Sequence, residues 1–288
     1  MGLIDDIKSS ATKNGTKIQS SEENKLEAIL NKMFYTQHNI EEETKFIKQV
    51  MTRGLESQER VGLHASSIIV SDKQWCTRRE VLSLLYKQIQ KENTNVGLLR
   101  IFEEGNAIHE KWQRLLIRAG YGKAKTMDRT RFNDEYEVSY TPDIVCRIPQ
   151  FFDGVLVGEI KSVNSFQFKK MKSHPSAHKQ LQLYMYFCIQ DAMLKGKWNG
   201  LDYTKGFVLC DSKNDQEFKT YVYEYDEDFL SPYIDRMEQV KYYKQRVIEE
   251  HKMPKRCEAC TNANCKMAME CVMRNACWNV GFGRRRIM

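Results

Sequence analysis

The residues best suited to chemistry are gathered between Tyr140 and Tyr186, in YTPDIVCRIPQFFDGVLVGEIKSVNSFQFKKMKSHPSAHKQLQLYMY. Asp143 opens one apolar run (Asp-Ile-Val-Cys-Arg-Ile), and Glu159 and Lys161 sit on a second (Val-Leu-Val-Gly-Glu-Ile-Lys-Ser-Val). Both runs are short, β-branched and bounded by Pro, Gly or Asp. They read as neighbouring strands joined by a hairpin-like turn at Phe152-Asp153-Gly154. Strand alternation puts Glu159 and Lys161 on one face. With Asp143 facing the same way on the adjacent strand, two carboxylates and an ammonium converge. Carboxylate oxygens suit a hard divalent ion, which can activate water and neutralise the charge that develops when a phosphodiester is hydrolysed. Two adjacent carboxylates raise each other's pKa unless a cation relieves them. Lys161 could also position or polarise the attacking water. Acid-x-Lys is common in charged proteins, where it usually forms surface salt bridges, so the assignment depends on its surroundings.

Those surroundings are distinctive. From Ile160 to Gln190 there is no Asp or Glu, while Lys161, Lys169, Lys170, Lys172 and Lys179 recur with His174 and His178. Phe166 and Phe168 are interleaved with them, as in a track for a phosphate backbone; any single lysine there fits a solvated loop equally well. A helix from about Ala177 to Leu194 follows, on which Gln180 and Tyr184 share a face. Upstream, a helix from Val96 to about Ala119, stopped by Gly120, carries His109.

Taken in order, Cys76-Thr-Arg-Arg79, Gly105-x-x-x-His109-Glu110, Pro142-Asp143, Glu159-Ile-Lys161, Gln180-x-x-x-Tyr184 and the C-terminal cysteines resemble a known family. It is the RecB-like nucleases of the PD-(D/E)xK superfamily, in particular the iron–sulfur branch with the AddB nuclease domain, CRISPR-associated adaptation nucleases and phage-encoded relatives. The motifs span residues 76 to 277, about two-thirds of the chain. The resemblance implies an α/β, restriction-endonuclease-like core with a central mixed sheet flanked by helices. It implies that His109, Asp143, Glu159 and the Ile160 carbonyl hold Mg²⁺ or Mn²⁺ and that Lys161 is catalytic. Gln180 and Tyr184 would position the site or substrate. The family often has Gly shortly before the Asp, where this chain has Tyr140-Thr-Pro.

Nine cysteines form the second signal, five of them (Cys257, Cys260, Cys265, Cys271 and Cys277) near the C-terminus. Cys146, Cys188 and Cys210 lie in apolar runs and read as small buried hydrophobes. Cys257-x-x-Cys260 is a zinc half-site, but no second C-x-x-C or paired His completes it. The resemblance implies instead that Cys76 and three C-terminal cysteines hold a [4Fe–4S] cluster, with Zn²⁺ as the alternative. Cys271-x5-Cys277 matches the family's terminal pair, although its full C-x2-C-x5-C string is absent. The remaining ligand could be Cys257, Cys260 or Cys265; we take Cys257, which follows Pro254 directly after a long helix, with the other two as alternates.

At 288 residues the chain can bury a full core. A net charge of +7 and a mean hydropathy of −0.60 are those of an ordinary polar protein, so basic character must be local to matter. No apolar run approaches the ~20 residues that span a bilayer. The N-terminus lacks a secretory h-region, and a cytoplasmic location is expected, for a phage-encoded protein in the host cytoplasm. The expected organisation is a tail and helical region over 1–70, a nuclease core over 71–253 and a cysteine-rich segment over 254–288 with a basic tail. Lys169, Lys170, Lys172 and Lys179 are the expected DNA contacts. The expected function is a Mg²⁺/Mn²⁺-dependent deoxyribonuclease, an exonuclease on single-stranded or resected ends, acting in recombination, repair or replication. The alternative is a catalytically silent DNA-binding or assembly factor. In either case the N-terminal helices are candidates for docking a replication or recombination partner.

Overall fold

The computed structural model describes residues 63–86, 96–127, 129–195 and 201–278, all within the unit Glu59–Met288 into which the chain divides. The helical region read between Ser20 and Met51 and the tail from Gly281 lie outside the described residues. In chain order the elements are β1 (Leu63–His64), α1 (Ala65–Ile68), α2 (Thr77–Leu85), α3 (Val96–Arg118), β2 (Arg131–Asn133), β3 (Val138–Tyr140) and β4 (Ile144–Cys146). They continue with β5 (Leu156–Val163), α4 (Ser165–Lys170), α5 (Pro175–Lys195), β6 (Lys205–Ser212) and β7 (Phe218–Glu224). The chain then runs through α6 (Glu227–Glu250), α7 (Lys266–Met269) and α8 (Arg274–Trp278).

Two mixed sheets flanked by helices make this an α/β fold. The larger has the order β4-β5-β6-β7, with β5 and β6 parallel and both outer pairings antiparallel. Beside this central sheet, β1, β3 and β2 pair as a separate three-stranded sheet. His64–Val70, read as a connector or strand, supplies the end of β1 and then α1. Arg236 of α6 holds this segment by donating to the carbonyls of Ile68 and Val70, at 2.5 and 2.7 Å, and to Asp72. Ser71 and Asp72, a capping pair by type, do not cap α2. Its N-cap is Cys76, and Ser71 instead closes a turn that accepts from the Gln74 and Trp75 N–H groups.

β5 is rich in Val, Leu and Ile and buried on both faces, as a central strand must be. One face, with Val157, Val163, Val208 and Cys210, packs on Leu181, Tyr184 and Met185 of α5. The other, with Ile144, Ile160 and Leu209, packs on Ile108, Trp112 and Leu116 of α3. α5 is apolar nearly all round, and every residue from Leu181 to Cys188 is buried. Its one buried amide there is satisfied: Gln182 donates to the Glu224 carbonyl (2.6 Å) and accepts from Asp226 N–H (2.9 Å).

α5 lies this close to the sheet because Gly206 lacks a side chain. A Cβ there would stand 2.8 Å from the Val157 carbonyl oxygen and 2.9 Å from a Leu181 methyl. Gly206→Ala should therefore lose about 1–3 kcal/mol by overpacking, read as a lower urea midpoint; an unchanged midpoint would refute the close-approach argument.

Candidate active site

The register that pairs Ile144 with Gly158 brings Asp143, one residue before β4, beside Glu159 on β5. The two strands are antiparallel as expected, although the connection between them runs from Arg147 to Val155 rather than through a tight turn. Asp143 is fixed on three sides. Its Oδ2 accepts from Ile160 N–H at 2.7 Å, its Oδ1 lies 3.3 Å from His109 Nδ1, and its carbonyl accepts from buried Gln113 at 2.9 Å. His109 and Gln113 are one turn apart on α3, so a single helix face serves both contacts.

Glu159 is 1% exposed. Its Oε1 accepts from Lys161 Nζ, while Oε2 is buried with no hydrogen-bond donor. Lys161 donates also to Gln180 Oε1 (3.3 Å), whose amide nitrogen donates to Tyr184 OH (2.6 Å). A chain of hydrogen bonds thus runs from the buried carboxylate through the ammonium to a fully buried phenol on α5. Burial and then the Asp143 charge hold the Glu159 carboxyl well above the usual carboxylate range, against the opposing pull of Lys161. Burial alone would lower Lys161, but the neighbouring carboxylates together keep it above its ordinary value, and so an ammonium.

Among the described residues no group of three or more His, Cys, Asp or Glu is arranged as a metal cage. The donor set nevertheless suits a divalent cation. Burial and the neighbouring carboxylate hold Glu159 back from ionising, and its second oxygen has no hydrogen-bond partner among the described residues; positive charge at that point would relieve both, and hard oxygen donors are what Mg²⁺ and Mn²⁺ bind.

The basic segment divides on inspection. His174 caps α5, accepting from Ala177 N–H at 3.3 Å, and His178 is stacked between Tyr223 and Phe229, at 4.0 and 4.7 Å. Burial lowers both pKa values, with the Lys161 charge adding to the effect at His174, so neither is a phosphate-binding cation at neutral pH. Phe168 is core, with Lys219 above its ring at 4.5 Å. Lys179 reaches over Tyr233 of α6. Lys169, Lys170 and Lys172 are exposed, as is Phe166.

The cysteines come together from both ends of the unit. Cys257 lies against Cys76, and burial followed by that neighbour pushes its thiol up to about 12. Cys271 is raised by burial and feels Arg79, Cys76 and Cys277. Cys260 also neighbours Cys277, whereas Cys265 caps α7 by accepting from Ala268 N–H. Cys146, Cys188 and Cys210 are buried as expected. Sequence reasoning missed the arginines that hold this segment. Arg78 donates to the Pro254 carbonyl, Arg256 to the Cys277 carbonyl and Arg274 to the Ala263 carbonyl, each at 2.8 Å. Arg256 also stacks on Trp278 at 3.8 Å. Their interleaving with the cysteines was the available signal. A second missed feature is Asp211 on β6, buried and bound by Lys111 (2.6 Å) and Trp112 (2.7 Å), which fixes α3 to the sheet.

No protein-family model matches this sequence, and no curated protein matches it. Among solved structures the chain is similar to SSO0001, at 16% identity and a TM-score of 0.40, over 69% of this chain and 85% of that one. It is also similar to LHK-Exo in complex with dAMP, at 15% identity and a TM-score of 0.44, over 66% of this chain and 91% of that one. A second structure of LHK-Exo, an alkaline exonuclease from Laribacter hongkongensis, has the same identity and coverage at a TM-score of 0.41. No helix among the described residues is long and apolar enough to cross a membrane.

The Glu159 environment carries a pH signature. In metal-free protein the folded state keeps a proton that the unfolded chain releases above the ordinary value of 4.5. Stability should therefore fall as pH rises from there toward the folded pKa. Glu159→Gln removes that loss, so urea unfolding in EDTA should find the variant increasingly more stable than wild type as pH rises. A wild type that gains on the variant over that range would contradict the buried, raised carboxyl.

Proposed function

We propose that this protein is a Mg²⁺- or Mn²⁺-dependent DNA nuclease of the RecB-like iron–sulfur type, acting as an exonuclease on single-stranded or resected ends. The observation that carries the reading is Glu159: a buried carboxylate with one oxygen on Lys161 and the other unsatisfied beside Asp143. Asp143, Glu159, the Ile160 carbonyl and His109 are the residues that would hold the cation. When bound, the cation supplies charge for the developing phosphorane and lowers the pKa of water.

The chain's own residues do the rest. Lys161, kept an ammonium by its carboxylate neighbours, donates to the attacking water or to a phosphate oxygen and orients it. Gln180, its amide direction set by Tyr184, holds the Lys161 side chain in one rotamer. Gln113 and the Ile160 N–H keep Asp143 from rotating away. Lys169, Lys170 and Lys172 supply backbone attraction that is independent of sequence and sensitive to salt.

In the same reading Cys76, Cys257, Cys271 and Cys277 hold a [4Fe–4S] cluster. The nearness of Cys257 to Cys76, and of Cys271 to Cys76 and Cys277, supports a site drawn from both ends of the unit; the Cys257 and Cys271 thiols, raised chiefly by burial, would ionise on gaining a metal's charge. Cys260 is the alternate, and the capping bond of Cys265 argues against its use.

The decisive assay follows end-labelled single-stranded and duplex DNA with Mn²⁺ and anaerobically purified protein. Asp143→Ala, Glu159→Ala and Lys161→Ala should each abolish cleavage yet retain DNA binding, and cleavage by all three would refute the nuclease assignment. Purified protein should be brown with a broad visible absorption band and should contain iron, which Cys76→Ala loses. A colourless, zinc-containing protein would remove the cluster and leave the nuclease.

A further inference from the structure

α4 is set immediately after the strand that carries Glu159 and Lys161, and it is pinned at both ends. Asn164 caps it, accepting from Gln167 N–H at 2.9 Å, while Ser165 N–H donates to Asn214. At its C-terminal end Lys219 donates to the Phe168 carbonyl at 2.7 Å. Its two phenylalanines, two residues apart, point to opposite sides of the helix. Phe168 is 1% exposed and anchors α4 in the core, whereas Phe166 is 69% exposed. Lys170, one turn on from Phe166, sets its ammonium 3.9 Å over the Phe166 ring.

An aromatic ring left in water gains nothing for the fold. Here it stands on an anchored helix with a cation on its surface, five residues along the chain from Lys161, and Lys169 and Lys172 are exposed on the same stretch. From this geometry we infer that Phe166 and Lys170 form a stacking platform for an unpaired base, so that the substrate of the site is a single-stranded or frayed DNA end. The inference rests on the nuclease reading and names the residues that would receive an unpaired base of such an end. A base has a π-face whatever its identity, so stacking on Phe166 tolerates any sequence, while the lysines follow the phosphates. In blunt duplex the bases are already stacked on each other, and the ring has nothing to receive. The exposed ring and its cation thus favour single strands where the lysines alone favour neither.

The test measures fluorescence anisotropy of full-length protein in EDTA with labelled oligo(dT) and with a blunt hairpin duplex. Phe166→Ala should weaken oligo(dT) binding about tenfold, in line with the loss of one stacked base, and leave duplex binding nearly unchanged. Phe166→Tyr, which keeps the π-face, should bind oligo(dT) like wild type. Because Phe166 packs against nothing in the core, the variants should match wild type in urea unfolding. Unchanged oligo(dT) binding by Phe166→Ala, equal losses on both probes, or wild type that binds neither would each overturn the platform. Mn²⁺-dependent cleavage that Glu159→Ala abolishes stands or falls separately. Its persistence alongside a failed binding test would remove the platform and keep the nuclease.

Discussion

The arrangement of this protein follows from the cost of placing a carboxylate inside a sheet. Glu159 lies on a strand covered on both faces, where an isolated charge would lose several kcal/mol of hydration. Lys161, two residues on, is the nearest position on the same face and meets one oxygen. The other elements make this pairing tolerable. α5 contributes Gln180 and Tyr184, which finish the hydrogen bonding of the ammonium, and Gly206 lets that helix come close enough to do so. α3 contributes His109 and Gln113, which hold the second carboxylate against the first. Among the described residues Glu159 Oε2 is left without a hydrogen-bond partner, as is Asp211 Oδ1 on the neighbouring strand.

Much of this could be read from residue order, because strand alternation is a rigid rule. Glu159 and Lys161 had to share a face, and Gln180 and Tyr184 had to meet one turn apart. The bounds expected for α3 and α5 lie within a few residues of those found, since each is long and strongly patterned. What failed to show depends on tertiary neighbours. The Phe-x-Phe pair of α4 looked symmetrical, and only the position of Lys219 and β6 decides which ring goes inward. His174 and His178 looked like part of a basic track until a helix start and two aromatic rings claimed them. β1, two residues long, carries too little pattern to reveal that it pairs in parallel with β3. Gln113 has no local signature, because its partner is a backbone carbonyl thirty residues away.

The cysteine-rich segment has little apolar material to fold around. Met273 and Ala268 are its buried hydrophobes, and its order comes from arginines that donate to carbonyls across short loops. Each guanidinium satisfies backbone that would otherwise face solvent unpaired, and Arg256 adds a ring contact with Trp278. These contacts bring Cys257 beside Cys76 and Cys271 near Cys76 and Cys277. Burial is the main reason for the upward shifts of Cys257 and Cys271, and the neighbouring thiols add to it.

The bond from Arg78 to the Pro254 carbonyl, together with the packing of α2 on α6 and α8, has a bearing on biosynthesis. A ribosome releases α2 long before it has made its packing partners. Through most of translation Val81, Leu82 and Leu84 on that helix therefore have no surface to cover them. The nascent chain carries that apolar stretch uncovered until α6 and α8, which begin only at Glu227 and Arg274, have been made.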